Sequence, residues 1–104
     1  MLAVRIVKLC KILQDEQKEF VLSKQLLRSG TSIGANVAEA QQAQSKADFI
    51  HKMNIALKER FETDYWLRLL HAKQYLNQVA FDSLAGDCTE LKKMLVSIVK
   101  TAKE

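Results

Sequence analysis

Acidic residues and histidines are the side chains of this sequence whose spacing could support metal or acid–base chemistry. Glu59 and Glu62 lie one helical turn apart, but the metal sites of helical bundles also need a histidine three residues after a glutamate, and Tyr65 follows Glu62. His51 and His71 are twenty residues apart and have no partner at metal-ligand spacing. We expect packed or surface roles for both histidines, and predict no catalytic residue, bound metal or cofactor.

The two cysteines, Cys10 and Cys88, fall on apolar helical stripes far apart in the sequence. A free cysteine in such a position behaves as a small hydrophobic residue. We expect this packing role, and a disulfide or redox role is the alternative. No serine, threonine or cysteine has a general base close to it in the sequence, so the pattern contains no recognisable nucleophile.

A line of polar residues runs through the segment RSGTSIGANVAEA, residues 28–40. Its members recur at helical spacing beside apolar positions, and charged residues of a later helix could pair with them. We expect a polar network that sets the register of two helices, formed by Arg28, Ser32, Asn36, Glu39 and Glu62. A solvated helix face and a ligand site are the alternatives.

Lysines are the candidate nucleic-acid contacts. The sequence has 16 basic and 12 acidic residues and a formal net charge of +4, which permits a polyanionic partner without requiring one. A basic stripe that contacts phosphates could be formed by Lys92, Lys93, Lys100 and Lys103. Acidic residues are interleaved along the chain and no RNA-binding motif is present, so a solvated helix face is the alternative.

The elements that must position these residues have a helical apolar periodicity throughout. Capping signals divide the 104 residues into helices at about residues 2–14, 16–43, 46–76 and 78–102. Asp15, Ser45 and Asn77 are the predicted N-caps, and Ser45 forms a capping box with Asp48. The chain has no proline, which favours a few long helices.

The predicted fold is all-α: a single domain built as an antiparallel up-down-up-down four-helix bundle, because short connections make neighbouring helices antiparallel. A two-helix coiled coil is the alternative. The composition, with 48% hydrophobic and 27% charged residues, is typical of a globular domain that folds without a disulfide or metal. Because the sequence shows neither a signal peptide nor an apolar run long enough to span a bilayer, we predict a cytoplasmic protein.

Small and aromatic residues indicate two contact surfaces. Gly30, Gly34 and Ala38 follow one another at intervals of four, so they form one helical stripe. We expect this stripe to be a packing seam, with a hinge or an open ligand surface as the alternative. The third helix is apolar around more of its circumference than a bundle buries. We therefore predict a homo-oligomer whose interface includes Phe61, Tyr65 and Trp66.

The same segments resemble a known bacterial family. Its motif has an arginine, a serine followed by isoleucine, and an Asn-Ile-Ala-Glu-Gly-like ending, which correspond here to Arg28, Ser32, Ile33, Asn36, Val37, Ala38 and Glu39. The likeness continues through DFIHKMNIALKERFETDYWLRLL, residues 48–70. On these residues the chain resembles, over nearly its full length, the four-helix-bundle proteins of the 23S rRNA intervening-sequence type. Ala40 departs from the family's glycine, and Gly34 stands where many members have proline.

The resemblance implies a bundle and a ring-like oligomer, with a pentamer expected, and it brings no catalytic residues. It also implies similarity to the accessory protein of diversity-generating retroelements, which associates with a reverse transcriptase and binds nucleic acid. We therefore predict a non-enzymatic oligomeric scaffold or adapter that associates with RNA, DNA or a nucleic-acid enzyme. The alternative is a protein–protein interaction module without a nucleic-acid role.

Overall fold

Four α-helices and no β-strand make up the protein, so the all-α prediction is confirmed. In the computed structural model, which describes residues 1–104, the helices are α1 (Leu2–Asp15), α2 (Val21–Ala40), α3 (Lys46–Ala72) and α4 (Gln78–Lys103). Helices adjacent in the sequence contact one another and α1 also contacts α4, which fits a four-helix bundle. None of the four combines the length and the apolar character that a membrane-crossing helix requires.

The starts of α3 and α4 are where the sequence predicts them. The hydroxyl oxygen of Ser45 accepts a hydrogen bond of 3.1 Å from the backbone N–H of Asp48, and Oδ1 of Asn77 accepts one of 2.8 Å from that of Ala80. Each cap satisfies an N–H group that has no partner within its helix. The end of α3 is less well predicted, because the helix stops at Ala72 rather than at residue 76.

The boundaries of α2 differ from the prediction. Asp15 is the last residue of α1 rather than an N-cap, and α2 begins at Val21 rather than at residue 16. Residues 16–20 form the connection, in which Lys18 has a φ of 55°. This left-handed conformation interrupts a helix, and it was not evident from the periodicity. α2 ends at Ala40 rather than at residue 43.

Glu19 caps α2 in place of Asp15. Its carboxylate accepts hydrogen bonds of 2.7 to 3.1 Å from the backbone N–H groups of Val21, Leu22 and Ser23. Burial acts to raise the pKa of Glu19, but these N–H groups and the Ser23 hydroxyl outweigh it, so the pKa lies below its usual value. The N-cap position itself is Phe20, which makes no side-chain capping hydrogen bond, so the preceding residue Glu19 takes over this role.

Two clusters of buried side chains form the core. The first cluster involves all four helices and consists of Ile6, Cys10, Leu13, Leu26, Leu67, Leu70, Leu76, Leu84 and Cys88. The second cluster involves only α2, α3 and α4 and consists of Ile33, Ala40, Met53, Ala56, Leu95 and Val99. Leu2 of α1 is half-buried and contacts both clusters. Thus α1 covers the first cluster more completely than the second.

The stripe of small residues on α2 packs tightly at only one of its positions. Gly30 is buried, and a Cβ atom there would lie 2.7 Å from Cδ1 and 2.9 Å from Cγ2 of Ile6, so the absence of a side chain lets α1 approach α2. A Cβ atom at Gly34 would have no neighbour within 4 Å, and Ala38 is exposed. The predicted packing seam is therefore wrong for Gly34 and Ala38.

Candidate functional site

Polar residues of α2 contact α3 at two separate places. Arg28 pairs with Glu59 at 3.2 Å and also with Glu62, whereas Glu39 pairs with Lys52 at 3.2 Å. Partial desolvation acts to lower the pKa of Arg28, but the hydrogen bond and charge of Glu62 and the charge of Glu59 raise it above its usual value. Arg28 and Glu39 are well exposed, so solvent screening keeps each pair to at most about 1 kcal/mol.

Ser32 and Asn36, the other α2 members of the predicted polar network, make no hydrogen bond to α3. Nδ2 of Asn36 donates instead to the backbone carbonyl of Ser32, at 2.9 Å. The structure thus brings Arg28 and Glu62 together and leaves Glu39 at a separate ion pair.

A buried pair of hydroxyl groups next to Arg28 is not predicted by the sequence pattern. Ser29 and Thr63 are fully buried, and their side-chain oxygens lie 3.0 Å apart. The Thr63 hydroxyl also lies 2.8 Å from the carbonyl oxygen of Glu59. Because both hydroxyls have partners away from water, this contact fixes how α2 and α3 are aligned.

Arg60 is a buried cation that lies outside the predicted five-residue polar network. Its residue is 4% exposed, and it lies on the inward-facing stripe of α3 between Ala56 and Thr63. Its Nη1 donates to the carbonyl of Cys88 at 3.4 Å, its Nε has no hydrogen-bond partner, and no carboxylate lies within ion-pair distance. The spacing of α3's buried positions could have revealed this residue, because they recur at 53, 56, 60, 63, 67 and 70.

Arg60 lines an open cavity of about 400 Å³ between α3 and α4, called here the α3–α4 cavity. The other side chains that line it are Phe61, Asp64, Tyr65, Arg68, Thr89 and Lys92. The Arg60 guanidinium carbon lies 4.3 Å, and Lys92 Nζ 5.2 Å, from the centre of the Phe61 ring. Arg68 Nε pairs with Asp64 at 2.9 Å. The cavity therefore presents three cations and one already paired carboxylate.

The lysines predicted to contact nucleic acid are all exposed on α4. Lys92 lies at the α3–α4 cavity, and Lys93 is within 3.7 Å of Glu90. Lys100 and Lys103 line a second cavity along the same pair of helices, of about 360 Å³. Residues 92, 96, 100 and 103 share one face of a helix, so Lys92, Lys100 and Lys103 form a stripe that is interrupted by Val96, with Lys93 beside it.

The aromatic residues predicted to form an oligomer interface differ in exposure. Phe61 is 50% and Tyr65 57% exposed, and both lie at the α3–α4 cavity. Trp66 is half-buried against the first core cluster, with its ring edge-to-face with Tyr65 at 5.0 Å. Only Phe61 and Tyr65 are therefore available on the surface for a partner.

The two cysteines and His71 are positioned for packing, whereas His51 is exposed. Burial, together with the charge of Glu19, raises the pKa of the Cys10 thiol to about 11. Burial and the charge of Asp64 raise that of the Cys88 thiol to about 11 as well, so both thiols are protonated at neutral pH. His71 stacks on Phe81 at 4.3 Å. No three His, Cys, Asp or Glu side chains come together as metal ligands.

Comparison of the sequence with models of known protein families assigns this chain to a family. A family model described as 23S rRNA-intervening sequence protein matches residues 1–97. The chain belongs to this family. The resemblance found in its motif residues is thereby confirmed, and α2 and α3 are the helices that contain the motif segments.

One protein with a solved structure is very similar to this chain. It is a protein of unknown function from the S23 ribosomal protein family of Bacteroides thetaiotaomicron, whose crystal structure was determined at 1.70 Å resolution. The two sequences are 62% identical, the match covers 95% of this chain and 92% of that one, and the TM-score is 0.94. The curated proteins contain no match.

One departure from the family motif is accommodated within α2. Ala40, which stands where the motif has glycine, is buried and is the last residue of the helix. Its φ is not positive, so this position needs no glycine for its backbone conformation.

Proposed function

We propose that this intervening-sequence family protein is a non-enzymatic, homo-oligomeric scaffold or adapter that associates with RNA, DNA or a nucleic-acid enzyme through the outer face of α4. The observation that carries the proposal is the exposed lysine stripe, Lys92, Lys100 and Lys103, with Lys93 beside it. Lysine side chains in such a row neutralise successive phosphates and release their counterions. The family description, which refers to 23S rRNA, makes RNA the first ligand to test. A cytoplasmic location belongs to the same proposal.

The bundle that supports this face is inferred to run up-down-up-down. Contacts between neighbouring helices pair rising with falling residue numbers, as in Arg28 with Glu62 and Glu39 with Lys52. Such an arrangement places the second half of α4 beside the first half of α3. The basic residues of α4 would then follow the groove between the two helices.

The test measures binding of a fluorescently labelled RNA hairpin across a salt series. We expect the logarithm of the affinity to fall linearly with that of the salt concentration, and replacement of all four α4 lysines by glutamine to reduce the slope by about four. The matched control replaces four exposed lysines of the opposite end of the chain by glutamine: Lys8, Lys11, Lys18 and Lys24. The control variant has the same net charge as the test variant, so an equal reduction of RNA affinity in both would contradict a specific role of the α4 face. Absence of RNA binding by the unaltered protein at low salt would contradict the proposal itself.

Self-association is the second part of the proposal. Large apolar side chains are also exposed outside the α3–α4 cavity, among them Val4, Val7, Ile12, Met94 and Val96. Exposed apolar surface of this extent is typical of an interface. Light scattering of the purified protein should give a mass several times that of one chain, and five times that mass for a pentamer. The mass of a single chain would contradict self-association.

A protein–protein interaction module is the alternative, and one observation favours it. An almost entirely apolar groove of about 220 Å³ lies between α1, α2 and α4, lined by Leu2, Ile33, Gly34, Val37 and Leu91 among others. Gly34→Glu would place a charge in this groove. A change in mass on that substitution, combined with no RNA binding at low salt, would favour the alternative.

A further inference from the structure

We propose that the α3–α4 cavity binds nucleotides of a single-stranded nucleic acid, with bases stacking on Tyr65 and Phe61 and a phosphate held by Arg60 and Lys92. This inference rests on the proposed function and adds to it a site and a preferred form of nucleic acid. The lysine stripe of α4 would contact the phosphate backbone of single-stranded and double-stranded nucleic acid alike, whereas the cavity would favour the single strand.

Exposed aromatic rings are the first observation that supports a single strand. Tyr65 is 57% and Phe61 50% exposed, one helical turn apart on the same side of α3. Trp66 contacts Tyr65 edge-to-face at 5.0 Å and so orients its ring. Bases that are not paired can stack on such rings whatever their identity, whereas bases in a duplex are already stacked on each other.

The cations around the rings are the second observation. Lys92 Nζ and the guanidinium carbon of Arg60 lie over the Phe61 ring, 5.2 Å and 4.3 Å from its centre, so a base at this ring would lie next to two cations. The one carboxylate of the cavity, Asp64, is paired with Arg68 at 2.9 Å. A phosphate therefore meets a net positive site.

Arg60 is the third observation and the most specific one. It is buried to more than nine-tenths, its Nε is unpartnered, and it has no carboxylate partner. A buried cation without a counter-charge is costly, and guanidinium groups bind phosphate oxygens through two parallel hydrogen bonds. A phosphate in the cavity would supply the missing counter-charge. A cavity of about 400 Å³ is within the range of small-ligand sites.

The experiment compares a labelled ten-nucleotide oligoadenylate with a ten-base-pair duplex of the same strand, by fluorescence anisotropy. We expect Tyr65→Ala and Phe61→Ala each to weaken binding of the single strand roughly 5- to 150-fold, the range for loss of one stacked base. Binding of the duplex should change less than twofold. Phe61→Tyr should retain the affinity of the unaltered protein for the strand, because it keeps the ring.

Phe20→Ala is the matched control, because Phe20 is 47% exposed and lies just before α2, outside the cavity. It should leave single-strand affinity unchanged. Circular dichroism and light scattering of each variant check that the fold and the oligomer persist. Adenosine monophosphate alone, at the same nucleotide concentration, is the ligand that tests whether a strand is needed.

Three outcomes would overturn the assignment of this cavity and leave the proposed function intact. The first is that Phe61→Ala and Tyr65→Ala bind the single strand as tightly as the unaltered protein. The second is that these substitutions dissociate the oligomer, which would make the surface a self-contact, and the third is that adenosine monophosphate binds as tightly as the strand. Failure of the unaltered protein to bind either oligonucleotide at low salt would remove the proposed function and this inference together.

Discussion

The two core clusters show what a fourth helix contributes to this bundle. The first cluster is enclosed by all four helices, and α1 closes on α2 at Gly30, where no side chain intervenes. The second cluster is built by three helices, and the same face of α2 is open at Gly34. Two glycines in one helical stripe thus have opposite environments. The difference shows that helix packing, rather than residue type, decides whether a small residue lies in a close contact between two helices or on the surface.

The largest expected effects come from deleting a leucine in each cluster. Leu67 and Leu95 are both almost completely buried. We expect Leu67→Ala to reduce the free energy of unfolding by about 4–5 kcal/mol and Leu95→Ala by about 2–3 kcal/mol, since the more open second cluster can collapse around the cavity. Urea unfolding monitored by circular dichroism measures both. Equal losses would show that the two clusters are equally rigid.

Gly30→Ala probes the close approach of α1 and α2. The new methyl group would overlap Ile6, whose branched side chain has one preferred rotamer in a helix. Overpacking usually costs 1–3 kcal/mol, partly offset by alanine's helix propensity, so we expect a net loss of about 1–2 kcal/mol. The double variant with Ile6→Val, which removes the closest methyl group, should recover part of the loss in the same unfolding measurement. A stabilised Gly30→Ala protein would contradict the tight seam.

Glu19→Gln tests the residue that caps α2 from the connection between α1 and α2. Loss of the charge should cost about 1 kcal/mol at pH 7, because the carboxylate accepts three backbone N–H groups. The pKa of Glu19 is lowered in the folded protein, so its contribution is complete above the unfolded pKa of about 4.3 and is lost as the pH falls through the folded value. The stability difference between the two proteins should therefore disappear in acid. A difference that is constant with pH would argue against an ionised cap.

Gly34→Ala is the smallest expected change and the matched control for Gly30→Ala. The new methyl group meets no atom within 4 Å, so only the helix propensity changes. We expect stabilisation by up to about 1 kcal/mol. Destabilisation, or a change in the mass measured by light scattering, would indicate that a second chain packs against Gly34 in solution.

Much of the fold follows from local patterns. The N-caps Ser45 and Asn77 were predictable because a cap acts over three residues, and the family motif was recognisable from residue types alone. Glu19 was not, since its capping role depends on the left-handed turn at Lys18, which no periodicity indicates. Gly34 likewise required knowledge of where α1 lies.

The candidate site was only partly predictable. Lys92, Phe61 and Tyr65 could be chosen as exposed or functional positions from their types, but sequence did not indicate that they share one cavity. Arg60 lies on the inward-facing stripe of α3, but arginine is rarely buried, so its residue type alone does not indicate that position. Its position is a property of how α3 packs against α4.

The sequence by itself determined the helical class, most of the capping, the family and the net positive charge, because each depends on composition or on residues within one or two helical turns. The tertiary structure alone decided which glycine is covered, which arginine is buried and which aromatic rings remain exposed. These depend on contacts between residues that are far apart in the chain, and such contacts arise only when the helices pack.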